Sequence, residues 1–239
     1  TISEAGGEVC LDTPVIGLSR LESGYSVGCA QRVERADAVV IATSPPSLSR
    51  LCAELDPGLS ELAAGIETVP LVSLTLAWQR EQIPQPLDGA GFLVPRSEGL
   101  RLLSVRFLTS SLPDFEQAPR GQAVLRAEYG GAHDRGLVEL DDGELLQQVR
   151  RDLKQTLGIL AEPRFIHIKR WPEAIEQYTV GHAERAAELG GRLKALPGLH
   201  LGGTILDGAS SPKERFSRSR ELGMRIAYQL ALRDDAKLR

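Results

Sequence analysis

The chain has 239 residues, 42% hydrophobic and 25% charged, with a net charge of −4; this is the balance of a soluble globular protein with one large domain or two modest ones. The acidic balance argues against a dominant nucleic-acid surface, and no uncharged apolar run approaches the roughly 18 residues that cross a bilayer. Cys10, Cys29 and Cys52 share no CxxC spacing, which fits a reducing compartment, and His133, His167, His182 and His200 are too dispersed to suggest a metal site.

No signal peptide is visible, and Thr1 leads within a few residues into strand-like sequence. Excision of a methionine before threonine would produce such a beginning, as would a chain that is the later part of something longer. EVCLDTPVIGLSRLESGYSVGCA reads as short strands joined by turns at Asp12-Thr13-Pro14 and Ser23-Gly24. The apolar run Ala38 to Ala42 reads as a strand buried on both faces; it stops at Thr43-Ser44-Pro45-Pro46, and a short helix follows over Ser47 to Leu55. Strand, tight turn and helix make an α/β element, and ligands sit at the carboxyl ends of such strands.

From Pro70 the character changes. Leu71, Ser73 and Thr75 alternate with Val72, Leu74 and Leu76, and GFLVP, RLLSVRFL and QAVLRAEYGG follow as further strands. Four strands in succession predict a mostly antiparallel sheet. Asp141 to Leu157 has apolar residues at 145, 146, 149, 153 and 157 behind an acidic start, with Gly158 as its C-cap, and reads as a helix. PRFIHIKRW is another strand, PEAIEQYTVGHAERAAELGGRLKAL a loop and then a helix, and LHLGG a last strand. A closing helix over 215–232 should bury Phe216, Leu222, Ile226 and Leu230. The fold class is α/β (α+β), an inserted antiparallel sheet with helices, bracketed by α/β elements from the two ends of the chain.

RWPEAIEQYTVGHAER, residues 170–185, gathers Trp171, Tyr178 and His182 in an otherwise polar loop. Such rings either anchor a loop by packing or line a pocket for a flat ligand beside a helix start. QYTVGHAER preceded by RWP resembles the signature region of the protoporphyrinogen oxidases, FAD enzymes of the flavin amine oxidase superfamily. The resemblance takes in GFLVPR at 91–96, GG at 130–131 and LPGLHLGG at 196–203, in order and spacing, from about residue 6 to residue 230.

The resemblance implies FAD as cofactor and a tetrapyrrole substrate, protoporphyrinogen oxidised to protoporphyrin in haem biosynthesis. It implies that 1–68 and 173–239 belong to a discontinuous FAD-binding domain and 69–172 to the substrate-binding domain. The family's G-x-G-x-x-G segment, which is not in this sequence, would come from a preceding Rossmann segment or a partner chain. Val15 in TPVIGL matches the residue whose backbone contacts the adenine, although by itself it reads as core. Trp171 falls in the flavin-proximal loop, with a core tryptophan as the alternative.

The family ends close to G-N-A-Y-x-G-V-G-x-x-D-C-I. Here Gly203 and Gly208 match its glycines, Thr204 replaces asparagine, Ser210 replaces the later glycine, and Lys213-Glu214-Arg215 stands for D-C-I. The expected flavin cradle is therefore Gly203, Gly208, Ala209, Ser210 and Ser211, with Glu214 weakening the positive field of the helix start. For the substrate's propionates the candidates are Arg96, at the end of GFLVPR, and Arg106, although by themselves both read more readily as solvated arginines. No catalytic triad is expected, because a flavin does the redox chemistry. Two functions remain open: the C-terminal portion of an FAD-dependent oxidase, or a non-catalytic relative serving as a tetrapyrrole-binding or structural module. A cytoplasmic location is expected; peripheral membrane attachment is left open, since no strongly amphipathic basic helix appears.

Overall fold

The computed structural model describes residues 2–111, 118–206, 208 and 211–237. It divides into two compact units, one made by the chain up to Glu67 together with the chain from Glu176 onwards, the other being Thr68–Ile175.

The first unit begins with β1 (Val15–Arg20), β2 (Tyr25–Cys29) and β3 (Val33–Ala36), an antiparallel sheet in that order. Gly24, at φ +79, turns β1 into β2; a Cβ there would lie 2.3 Å from the Ala36 carbonyl oxygen, so no other residue fits. The strand expected before Asp12 does not form. Asp12 is held at φ 51, and Val9 and Leu11 are 58% and 78% exposed, so that segment has no strand partner among the described residues and buries neither side chain.

Next come β4 (Val39–Ile41), α1 (Pro45–Cys52) and α2 (Pro57–Ala64). Asp56 caps α2, accepting from Leu59 N at 3.0 Å, and Pro57 occupies the first helical position, where its missing N–H costs nothing. Leu48, Cys52, Leu59 and Ala63 are fully buried between these helices and the rest of the unit.

The second unit holds β5 (Thr68–Gln79), β6 (Gly91–Leu93), β7 (Leu102–Phe107), a one-turn helix α3 (Leu108–Ser111), β8 (Gln122–Gly130), α4 (Asp142–Leu157) and β9 (Phe165–Glu176). The sheet order is β6-β7-β8-β5-β9, with the β6–β7, β7–β8 and β8–β5 pairs antiparallel. Val72, Leu74, Leu76 and Trp78 alternate onto one face of β5 and pack with Leu125, Ala127 and Tyr129 of β8. The same cluster takes in Leu145, Val149, Leu153 and Leu157, the apolar stripe of α4. Each fully buried leucine contributes roughly 1.5–3 kcal/mol by leaving water.

Both ends of α4 are closed. Asp141 accepts from Glu144 N at 2.8 Å, and Gly158 takes the left-handed conformation at φ 67. Inside the core the Tyr129 hydroxyl lies near the Asp152 carboxylate without forming a hydrogen bond of ordinary geometry. Burial chiefly, then the charge of Asp152, pushes the tyrosine pKa up. Strand β9 runs on through Pro172 to Glu176, where a loop was expected; β9 is an edge of the sheet, and an edge tolerates a residue without an N–H.

Back in the first unit, α5 (His182–Leu193), β10 (Leu199–Leu201) and α6 (Pro212–Lys237) complete the described chain. Strand β10 pairs in parallel with β4, Leu199 opposite Val39 and Leu201 opposite Ile41. The expectation that β4 is buried on both faces fails. Ile41 is 5% exposed but Val40 is 47% exposed, because this two-stranded sheet is covered on one face only. The face expected for the last helix is corrected as well: Leu222, Ile226 and Leu230 are half-buried, whereas Phe216 is 75% exposed. Helix α6 has apolar residues round most of its circumference, and the described chain reaches only the Leu222–Ile226–Leu230 row. No helix among the described residues is long and apolar enough to cross a membrane.

Candidate functional site: the turn after β10

Strand β10 delivers the chain to Gly202 and Gly203. Gly203 is at φ +82 with no described atom within 4 Å of where a Cβ would point, and Gly208 is at φ +61 with its Cβ position 3.5 Å from the Tyr178 ring. The two glycines therefore serve different ends. Gly203 leaves its backbone approachable, while Gly208 lies against an aromatic face.

The end of β9 ties this turn down. Thr204 donates its hydroxyl proton to Glu176, and the Tyr178 hydroxyl lies 3.2 Å both from Glu176 Oε2 and from the Thr204 carbonyl oxygen, sharing one proton between two acceptors. The rings of Tyr178 and His182 are stacked at a tilt, 4.5 Å between centroids. Both ring nitrogens of His182 are shielded from solvent and lack a hydrogen-bond partner among the described residues. Burial, with the Glu176 charge adding to it, pushes the Tyr178 hydroxyl pKa up. So QYTVGH and the glycine turn form one constellation, with Thr204 acting as a fixed donor to Glu176. Sequence reasoning missed Glu176, since only the fold brings it beside Thr204.

At the start of α6, Ser211 donates from its backbone N and from Oγ to Glu214 Oε2 at 3.1 and 2.9 Å, and Glu214 N donates back to Ser211 Oγ at 3.2 Å. This is a reciprocal capping box, and its signature S-P-K-E stands openly in the sequence. The helix start thus gives the N–H groups of Ser211 and Glu214 to its own side chains and carries a carboxylate where an anionic reduced flavin would need positive field. The open space at Gly203 suits close approach of a cofactor; the α6 terminus does not. Ala209 and Ser210, the other expected cradle residues, lie outside the described residues.

The remaining expected site residues are spread over both units. Val15 is 43% exposed on the edge strand β1, so it is not a core residue, and its backbone stands at the margin of the sheet. Trp171 belongs to β9 in the second unit, 50% exposed, with the Lys169 ammonium 4.8 Å from its ring centroid; it is neither in a loop nor in the core. Arg96 opens an exposed 3₁₀ turn, Arg96–Glu98, closed by Gly99 at φ 68. Arg106 lies on β7 directly opposite Arg126 of β8, a pairing that no single segment of sequence reveals.

Residues 1–207 match the model of the flavin containing amine oxidoreductases, and the chain belongs to that family, whose cofactor by family is FAD. It is 29% identical over 202 residues to the coproporphyrinogen III oxidase of Bacillus subtilis (strain 168), covering 84% of this chain and 42% of that protein. It is 29% identical over 213 residues to the mitochondrial protoporphyrinogen oxidase of Nicotiana tabacum, covering 87% of this chain and 42% of that protein. Among solved structures, one from Exiguobacterium sp. 255-15 named for protoporphyrinogen oxidase superposes with a TM-score of 0.75 at 26% identity, covering 93% of this chain and 48% of its own. The cyclohexylamine oxidase of Brevibacterium oxydans IH-35A shares the fold at a TM-score of 0.65 and 18% identity, covering 91% of this chain and 48% of that one. The chain thus spans a little under half the length of the relatives it matches.

Proposed function

We propose that this chain is the C-terminal portion of a porphyrinogen-oxidising flavoprotein, in which Thr68–Ile175 recognises the tetrapyrrole and the other unit forms part of the flavin domain. The observation that carries this is the extent of the likeness: it runs through both units to proteins named for coproporphyrinogen and protoporphyrinogen oxidation. The role of the chain's own residues is to bind and orient a large, flat, anionic macrocycle. No redox step is assigned to them; the start of α6, beside the glycine turn, carries the Glu214 carboxylate in a capping box. In the complete protein the phosphate-binding segment comes from outside this chain, since the pyrophosphate of FAD needs a glycine-rich helix start.

The same capping box favours a second reading, a tetrapyrrole-binding or structural module without turnover. Complementation separates the two. The chain is co-expressed with the N-terminal half of the Bacillus subtilis relative, and flavin retention and the fluorescence of porphyrin formed from coproporphyrinogen III are followed. Gain of both supports the oxidase. Porphyrin binding without flavin or turnover, under conditions where the relative's own two halves recombine, selects the module. A chain that binds no tetrapyrrole in either setting overturns the oxidase and the tetrapyrrole-binding module and leaves the structural module.

A further inference from the structure

The sheet of the second unit has two unlike faces. One packs on α4. Strand alternation puts Ser73, Thr75, Ser104, Arg106, Arg126 and Glu128 on the other. In register, Arg106 pairs with Arg126, and Arg126 pairs on its other side with Thr75. Directly opposed positions bring Cβ atoms to about 5 Å, and like charges placed so repel one another.

Among the described residues no carboxylate pairs with either arginine. Glu128, two residues along β8 on the same face, accepts from Ser104 Oγ at 2.7 Å. Neither guanidinium makes a hydrogen bond or ion pair with a described residue, and Nε of Arg126 is shielded from solvent with no partner. Opposite Arg106 on β6 stands Gly91, at φ +136, where a Cβ would fall 2.0 Å from the Val105 carbonyl oxygen. That neighbour can only be a glycine, so Arg106 has no side chain beside it on β6. A half-buried arginine facing a second arginine is a costly arrangement for an empty surface and a favourable one for an anion, because each planar fork can grip a carboxylate with two parallel hydrogen bonds.

We propose that the sheet face turned away from α4 is a carboxylate clamp, in which Arg106 and Arg126 together hold the side-chain carboxylates of an organic polycarboxylate. The carboxylate chemistry stands on the arginine pair alone; that the ligand is a tetrapyrrole rests on the function proposed above.

The test uses the intact chain with coproporphyrin III, its tetramethyl ester and the simple tricarboxylate tricarballylate, titrated by fluorescence quenching or calorimetry. The variants are Arg106→Gln, whose exposed side chain does not bear on folding, and Arg126→Lys, which keeps the charge and loses the fork. The clamp predicts that either variant weakens coproporphyrin III binding by about tenfold or more, the loss expected for a hydrogen bond to a charged group. It predicts that the ester binds wild type and variants alike. It also predicts that Arg106→Gln melts at a slightly higher temperature than wild type without ligand, since one of two opposed charges is gone. Porphyrin bound equally by wild type and both variants overturns the clamp and leaves the tetrapyrrole function standing. Tricarballylate bound through the arginines, with no porphyrin bound, keeps the clamp and removes the tetrapyrrole function. If neither ligand binds, the clamp is overturned.

Discussion

In Thr68–Ile175 the stripe of α4 meets the inward residues of three strands, and Leu74, Leu125 and Leu145 are 0% exposed. In the other unit, α6 leaves Phe216, Met224, Tyr228 and Leu232 between 51% and 75% exposed, and Val40 looks out from a parallel sheet of two strands. Parallel strands are ordinarily covered on both faces, and runs of exposed apolar residues on one helix mark a surface that another element covers. One unit therefore closes a continuous core of its own, although Leu93, Leu160 and Phe165 stay exposed on it, whereas in the other α6 leaves a row of apolar residues uncovered by the described chain. An amphipathic pattern tells where an element is greasy; only the presence of a partner decides whether that face is a core or a coast.

The largest effect expected from this contrast is in the closed core. Leu125→Ala should cost about 2–5 kcal/mol in the unfolding of a polypeptide of residues 68–175, which we expect to melt cooperatively by itself. A non-cooperative melt of that polypeptide would falsify the self-sufficiency of the unit.

Alkaline titration sharpens the comparison. Burial, with the charge of Asp56 adding to it, raises the Cys52 thiol from 9.0 to about 11. The native state then keeps its proton while the unfolded chain loses it, so this contribution is full below pH 9 and is lost as pH rises towards 11, by about 2–3 kcal/mol. Tyr129 is raised in the same sense, so the second unit begins to lose stability only above about pH 10. Denaturant melts at a series of pH values should show the slope between pH 9 and 11 disappear in Cys52→Ala, and the later loss flatten in Tyr129→Phe. Unchanged slopes would remove these two groups as the cause.

The two N-caps give a smaller difference. Asp56 caps α2 and also accepts from Arg192 of α5 at 2.9 Å, whereas Asp141 caps α4 alone. Asp141→Ala should cost about 1 kcal/mol and Asp56→Ala up to about 2 kcal/mol, measured by chemical denaturation. Equal losses would mean that the Arg192 contact adds nothing. Smallest of all, Met224→Glu with Tyr228→Ser should change the stability of the chain by no more than about 0.5 kcal/mol. The same pair should abolish flavin retention in the complementation experiment. A large loss of stability in the chain alone would show that this row is already covered.

The closed unit was the more legible in the sequence. The alternation around Leu74 and the stripe Leu145–Val149–Leu153, with Asp141 before it and Gly158 after it, are local signals whose partners lie in the same unit. Helix α2 is not legible from pattern although Asp56-Pro57 announces its start, because at eight residues it is too short to show a full helical period of its apolar positions. Strand β9 was cut short at Pro172, where an edge position relaxed the usual rule. Phe216 and Val40 were misplaced for the opposite reason: their pattern is sound, but burial depends on what stands opposite. The opposition of Arg106 and Arg126 and the meeting of Thr204 with Glu176 depend on register and topology, which spacing along one strand does not encode.

The pairing of β4 with β10 also sets a clock. Their partners, Val39 and Leu199, are about 160 residues apart, and the whole of the second unit lies between them. At ordinary synthesis rates of about 5–20 residues per second, β4 leaves the ribosome roughly 8–30 s before its neighbour exists. During that interval Thr68–Ile175 is made, while β4 waits without its β10 neighbour.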